Sequence, residues 1–157
     1  MTNEFNADDI FEMAVKIEQN GAVFYREAAG QVEGKKNQDF LLELARMEDE
    51  HGVVFSNLKK ELTAQEKITT TFDPEDENIL YLNAFADSKV FFKKEKPDNS
   101  FKNILHCAIQ TEKDSIVFYL GIKELVPEKY GRSKIDAIIK EEMGHIRLLA
   151  GKLAELY

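Results

Sequence analysis

Two His residues in this chain each have a Glu three residues before them, in Glu48-x-x-His51 and Glu142-x-x-His145, and each of these pairs has a further Glu 30 residues upstream, Glu18 and Glu112. At a spacing of three on a helix, a carboxylate and an imidazole share one face within a turn, close enough to grip one cation. The two sets are related by an offset of 94 residues, which also lays Glu18-Gln-Asn-Gly-Ala-Val-Phe-Tyr25 over Glu112-Lys-Asp-Ser-Ile-Val-Phe-Tyr119 with Glu, Val, Phe and Tyr identical. Glu is common, 19 of the 157 residues, so one Glu-x-x-His means little. Its duplication with the upstream Glu in register carries the argument.

Each of the four Glu lies on an apolar stripe: Glu18 between Val15 and Ala22, Glu48 between Leu44 and Phe55, Glu112 between Ile109 and Ile116, and Glu142 between Ile139 and Ile146. They therefore point inward, where four ionised carboxylates repel one another and lose several kcal/mol of hydration each, by the usual order for a buried ion. Two divalent cations would neutralise them and leave coordination positions open. Oxygen and nitrogen ligands without sulfur suit iron or manganese; zinc would also bind, without redox chemistry. The single Cys107 allows neither an intrachain disulfide nor a Cys-x-x-Cys metal site.

Four helices are predicted to hold these residues. Asn6 to Asp9 supply caps for a helix over about 7–31, and Leu41, Leu44, Ala45, Phe55 and Leu58 mark a second over about 37–62. Ser100 caps a third, over about 101–125, which Pro127 cannot continue; Ser133-x-x-Asp136 reads as a capping box for the fourth, over about 134–156. Short links make two antiparallel hairpins. The 63–99 crossover between them is far longer than a bundle loop needs, and Asp73-Pro74 followed by Ile79, Leu80, Leu82 and Phe85 predicts a short helix inside it. A helix of about 25 residues is ~37 Å long, so the crossover can return along the bundle and set the second helix parallel to the third.

Composition agrees with an all-α fold in a single domain, 1–157: 43% of residues are apolar, including 11 Phe for one core, and Gly (8) and Pro (3) are sparse. A net charge of −8, with basic residues interleaved among acidic ones, excludes a nucleic-acid-binding surface. The acidic start and the lack of a long apolar run lead to the expectation of a cytoplasmic chain without a membrane partner.

Through Glu18, Glu48-x-x-His51, Glu112 and Glu142-x-x-His145 the sequence resembles the ferritin-like di-iron carboxylate superfamily, and within it the rubrerythrins, over all four helices. The resemblance implies a ferritin-like four-helix bundle with two iron ions. Glu48 and Glu142 would bridge or chelate, His51 and His145 bind one iron each, Glu18 and Glu112 complete the shells, and Tyr25 and Tyr119 hydrogen-bond site carboxylates. It further implies reduction of hydrogen peroxide, or reaction with oxygen, and a homodimer. Two departures stand out. Ser115 occupies the place of an extra Glu that exchanges with a His as rubrerythrin iron changes oxidation state, and one Cys cannot build the rubredoxin domain, so electrons would come from an external donor such as a rubredoxin-like protein. The six-ligand set also resembles bacterioferritin, which implies iron oxidation and sequestration, although Asp49 stands where its haem-binding Met is. A bundle holding zinc or manganese for structure is the third reading. His106, with Asn103 three residues before it, is not expected to be a ligand, and Glu50, Glu141 and Asp114 read as a solvated face.

Overall fold

A computed structural model of the chain describes residues 6–62, 77, 80, 84 and 100–157. Among these lie four long helices, α1 (Ala7–Ala29), α2 (Lys35–Glu61), α3 (Phe101–Lys123) and α4 (Arg132–Ala154), with a 3₁₀ turn at Glu128–Tyr130 before α4. The predicted helix within the crossover lies outside the described residues, apart from helical positions 77, 80 and 84.

The start of α1 is fixed by a reciprocal capping box: Asp9 N–H donates to the Asn6 side chain at 2.9 Å, and Asn6 N–H donates to Asp9 at 3.1 Å. The Ser100 hydroxyl accepts from Asn103 N–H at the start of α3. The start of α4 differs from expectation. Its cap is Gly131, at φ 105°, with no side-chain cap bond. Asp136, the predicted partner of Ser133, instead accepts from Lys123 Nζ at 2.8 Å. Gly131 is required here twice over, because its φ is left-handed and a Cβ would sit 2.5 Å from Leu58 Cδ2.

The directions of the helices follow from which residues meet. Tyr119 reaches Glu18 and Tyr25 reaches Glu112, so α1 and α3 run antiparallel; His51 meets Glu142 and Glu48 meets His145, so α2 and α4 do as well. With α1 and α2 paired as a hairpin, α2 is parallel to α3, the arrangement the long crossover requires. The result is a ferritin-like four-helix bundle.

Its core is layered. One apolar cluster contains Phe11, Phe55, Leu58, Phe118, Ile122 and Ile135, and the other contains Phe24, Leu41, Leu44, Ile104, Leu105 and Leu149. The buried carboxylates and imidazoles lie among these residues. No described helix is long and apolar enough to cross a membrane.

Candidate metal centre

The bundle brings together all six residues singled out by the repeat. Glu18 on α1, Glu48 and His51 on α2, Glu112 on α3, and Glu142 and His145 on α4 are each at most 4% exposed. They form two overlapping groups, Glu18, Glu48, His51 and Glu142, and Glu48, Glu112, Glu142 and His145, in each of which one ligand atom per residue lies within 4.8 Å of all the others. Glu48 and Glu142 belong to both. Each group thus takes three residues from one hairpin and one from the other.

Within the two groups the imidazole Nδ1 atoms lie close to the carboxylates. His51 Nδ1 lies 2.8 Å from Glu142 and 3.3 Å from Glu18, and His145 Nδ1 lies 3.1 Å from Glu48, 3.2 Å from Glu142 and 3.5 Å from Glu112. The two imidazole rings stack with centroids 5.4 Å apart.

These distances are short, yet the atoms are not aligned as hydrogen bonds. Glu18 Oε2, Glu48 Oε1, both Glu142 oxygens and the Nδ1 atoms of His51 and His145 are all buried without a hydrogen-bond partner. Native interiors rarely leave such groups unsatisfied, and six of them gathered in these two overlapping groups fit bound ions. The donor set of carboxylate oxygen and imidazole nitrogen fits two divalent cations, since four carboxylates bring −4 against their +4.

Without a cation, protons must fill its place. Burial and the nearby Glu112 push Glu142 up to about 8, and burial with the charges of Glu112 and Glu142 raises Glu48 well above the usual carboxylate range. Burial also raises Glu112, but the neighbouring Glu142 and His145 and the Tyr25 hydroxyl outweigh this and leave it lowered. Burial disfavours the charged imidazoles too, and again the carboxylates prevail: Glu142 and Glu18 bring His51 up to about 11, and Glu112, Glu142 and Glu48 bring His145 up to about 12.

The two tyrosines work across the hairpins. The Tyr25 hydroxyl donates to Glu112 Oε1 and the Tyr119 hydroxyl to Glu18 Oε1, so each phenol holds a carboxylate of the opposite half. Burial, and then the adjacent carboxylate charge, raises both phenols well above their ordinary value and keeps them protonated as donors.

Two residues with a part in this centre were not apparent from the sequence. Glu141 was expected on a solvated face and is 61% exposed, but its Oε2 lies 2.7 Å from His51 Nε2. A carboxylate only accepts, so the ring donates from Nε2 and turns Nδ1 toward the cluster. Gly21 is the other, for a Cβ there would lie 2.5 Å from Glu48 Oε2. Among the remaining sequence candidates, Ser115 is buried, but its hydroxyl donates to Thr111 O at 3.1 Å, inside its own helix, and it belongs to neither group. His106 is exposed, and Glu50 and Asp114 are bonded to neighbours on their own helices, Arg46 and Gln110. A cavity of about 640 Å³ opens between α2 and α4, with His51, Val54, Lys60, Lys134 and Glu141 in its wall.

Fold and site together define a ferritin-like protein with two buried Glu/His groups suited to a di-metal centre. Comparison with known families is specific: the rubrerythrin family model matches residues 9–87, and the chain belongs to that family. A crystal structure at 2.30 Å described as a ferritin-like diiron-carboxylate protein, from Thermotoga maritima, is similar over 100% of both chains with a TM-score of 0.71 and 23% identity, which speaks for the fold. No curated protein matches.

Proposed function

We propose that this chain is a di-iron oxidoreductase that reduces hydrogen peroxide to two waters, using two protons and two electrons from an external donor such as a rubredoxin-like protein. The observation that carries this reading is the convergence of six buried, unpartnered ligand atoms, from residues that form two groups sharing Glu48 and Glu142. Glu18, Glu48, His51 and Glu142 would hold one ion, and Glu48, Glu112, Glu142 and His145 the other. Two iron ions placed side by side would supply the electron pair that cleaving an O–O bond needs.

The protein's own groups have separate tasks. Tyr25 and Tyr119 hold Glu112 and Glu18 in place through charge-assisted hydrogen bonds, worth about 1.5–3 kcal/mol each. Surrounding apolar residues such as Phe55 and Leu44 keep the dielectric low, which strengthens every charge interaction inside. The wall formed by His51 and Glu141 brings the solvent cavity to the edge of the cluster.

Anaerobically reduced protein should be oxidised faster by peroxide than by oxygen and should turn over when a donor is supplied. Absence of peroxide turnover with every donor tried would overturn the assignment.

One observation favours a second reading. The Ser115 hydroxyl is committed to Thr111 O and offers no carboxylate for ligand exchange, so the six-residue set also suits iron oxidation and sequestration of the bacterioferritin kind. Retention of many irons per chain in a large assembly would mark that function. Zinc or manganese, retained without redox turnover, would mark a structural role.

A further inference from the structure

Among the positions where the repeat relating the two hairpins is broken, one stands directly before the carboxylates that both groups share. The offset of 94 that carries His51 onto His145 carries Met47 onto Glu141. In one half, Glu141 accepts from His51 Nε2 at 2.7 Å. In the other, Met47 is half-buried against the apolar cluster of Phe24 and Leu41, and all the close carboxylate contacts of His145 among the described residues are made by Nδ1.

We infer that the two metal positions are unequal, the His51 position being filled first and held more tightly, because Glu141 acts as a positioning residue for His51 and Met47 cannot do so for His145. This rests on the di-metal reading above. The inner residues do not distinguish the positions, since each has three carboxylates and one imidazole, with Glu48 and Glu142 in common. The difference lies one layer out. An imidazole binds a cation through an unprotonated nitrogen, and a carboxylate on the opposite nitrogen fixes the tautomer, locks the ring and raises its basicity. A thioether is at best a weak acceptor and does none of this effectively. Because Glu141 is 61% exposed, solvent screens its long-range charge, and the hydrogen bond is the means by which it acts.

Loss of such an outer partner typically weakens metal binding about 10- to 100-fold, which sets the expected separation of the two affinities. The test is titration of the metal-free full chain with Co(II) against a competing chelator, followed by the visible bands of the bound ion. The expected result is two binding steps about 10- to 100-fold apart. Glu141→Ala should weaken the tighter step and leave the other in place, merging the two, while Met47→Glu should tighten the weaker step. Two indistinguishable steps in the parent chain, or a Glu141→Ala effect that falls equally on both steps or only on the weaker, would overturn the inference while leaving the di-metal centre intact. If the parent chain bound neither cobalt nor iron, the di-metal reading itself would fall, and this inference with it. Glu141 is a mostly exposed helix residue, and alanine is a good helix former, so the variant is expected to fold.

Discussion

The metal-free chain should become less stable between pH 6.5 and pH 8, because its centre stores protons where cations belong. His51 and His145 stand at about 11 and about 12 in the folded chain against 6.5 in the unfolded one, and Glu142 at about 8 against 4.5. All three are raised. The imidazole contributions are thus complete below 6.5 and are lost as the pH climbs toward 11 and 12; that of Glu142 is complete below 4.5 and is gone above 8. From 6.5 to 8 the unfolded chain binds fewer protons than the folded one, so stability falls with pH. One group protonated only in the folded state is worth about 1.4 kcal/mol per pH unit. Three would give at most ~4 kcal/mol from pH 7 to 8, and since the groups share one cluster and Glu142 itself titrates near 8, about half of that, ~2 kcal/mol, is the expected loss. At ~2–4 °C per kcal/mol for a chain of this size, Tm should drop ~4–8 °C. Thermal unfolding followed by circular dichroism in the presence of a chelator measures this directly. Metal-loaded protein is the control, because binding displaces protons and tightens as pH rises, so the drop should vanish or reverse. A Tm that held constant or rose in the metal-free chain would refute the proton-filled cluster.

Other perturbations probe the centre one contact at a time. Glu142→Ala removes a carboxylate common to both groups, so metal analysis should find about two ions per parent chain, as the ligand inventory implies, and well under one in the variant. Gly21→Ala sets a methyl 2.5 Å from Glu48 Oε2; the gain of about 1 kcal/mol in helix propensity should be offset by displacement of that carboxylate, read as lost metal at both positions with little change in Tm. Tyr119→Phe leaves Glu18 without its phenol donor and should weaken metal binding more than it changes helix content, with Tyr25→Phe doing the same through Glu112; unchanged affinity in both would show the phenols to be packing groups only.

The ligand residues were legible because a buried charge is conspicuous on an apolar stripe and because the same pattern occurs twice. Orientation was legible too: a 63–99 crossover has the length to return along the bundle, and the pairings of Glu18 with Tyr119 and of Tyr25 with Glu112 together show that α1 and α3 run antiparallel as that return demands. Glu141 was hidden for a physical reason. It lies off the stripe of its own helix, and its importance depends on α4 running antiparallel to α2 so that position 141 meets position 51. Gly21 was equally silent, since an absent side chain registers only once Glu48 is seen leaning into the space. At α4, the Ser133-x-x-Asp136 pattern misled because a left-handed Gly131 after the 3₁₀ turn starts the helix at Arg132, leaving Asp136 free to bind Lys123.

The crossed tyrosines have a consequence for assembly. With Tyr25 on Glu112 and Tyr119 on Glu18, and with Glu48 and Glu142 each lent to the other half's His, neither hairpin owns a complete set of ligands. A cation bound there is a rivet through two plates: it can be fitted only after the plates are aligned, and it leaves only when they part. Exchange of metal with a chelator should therefore proceed no faster than the hairpins separate, so that the release rate becomes a clock for opening of the bundle.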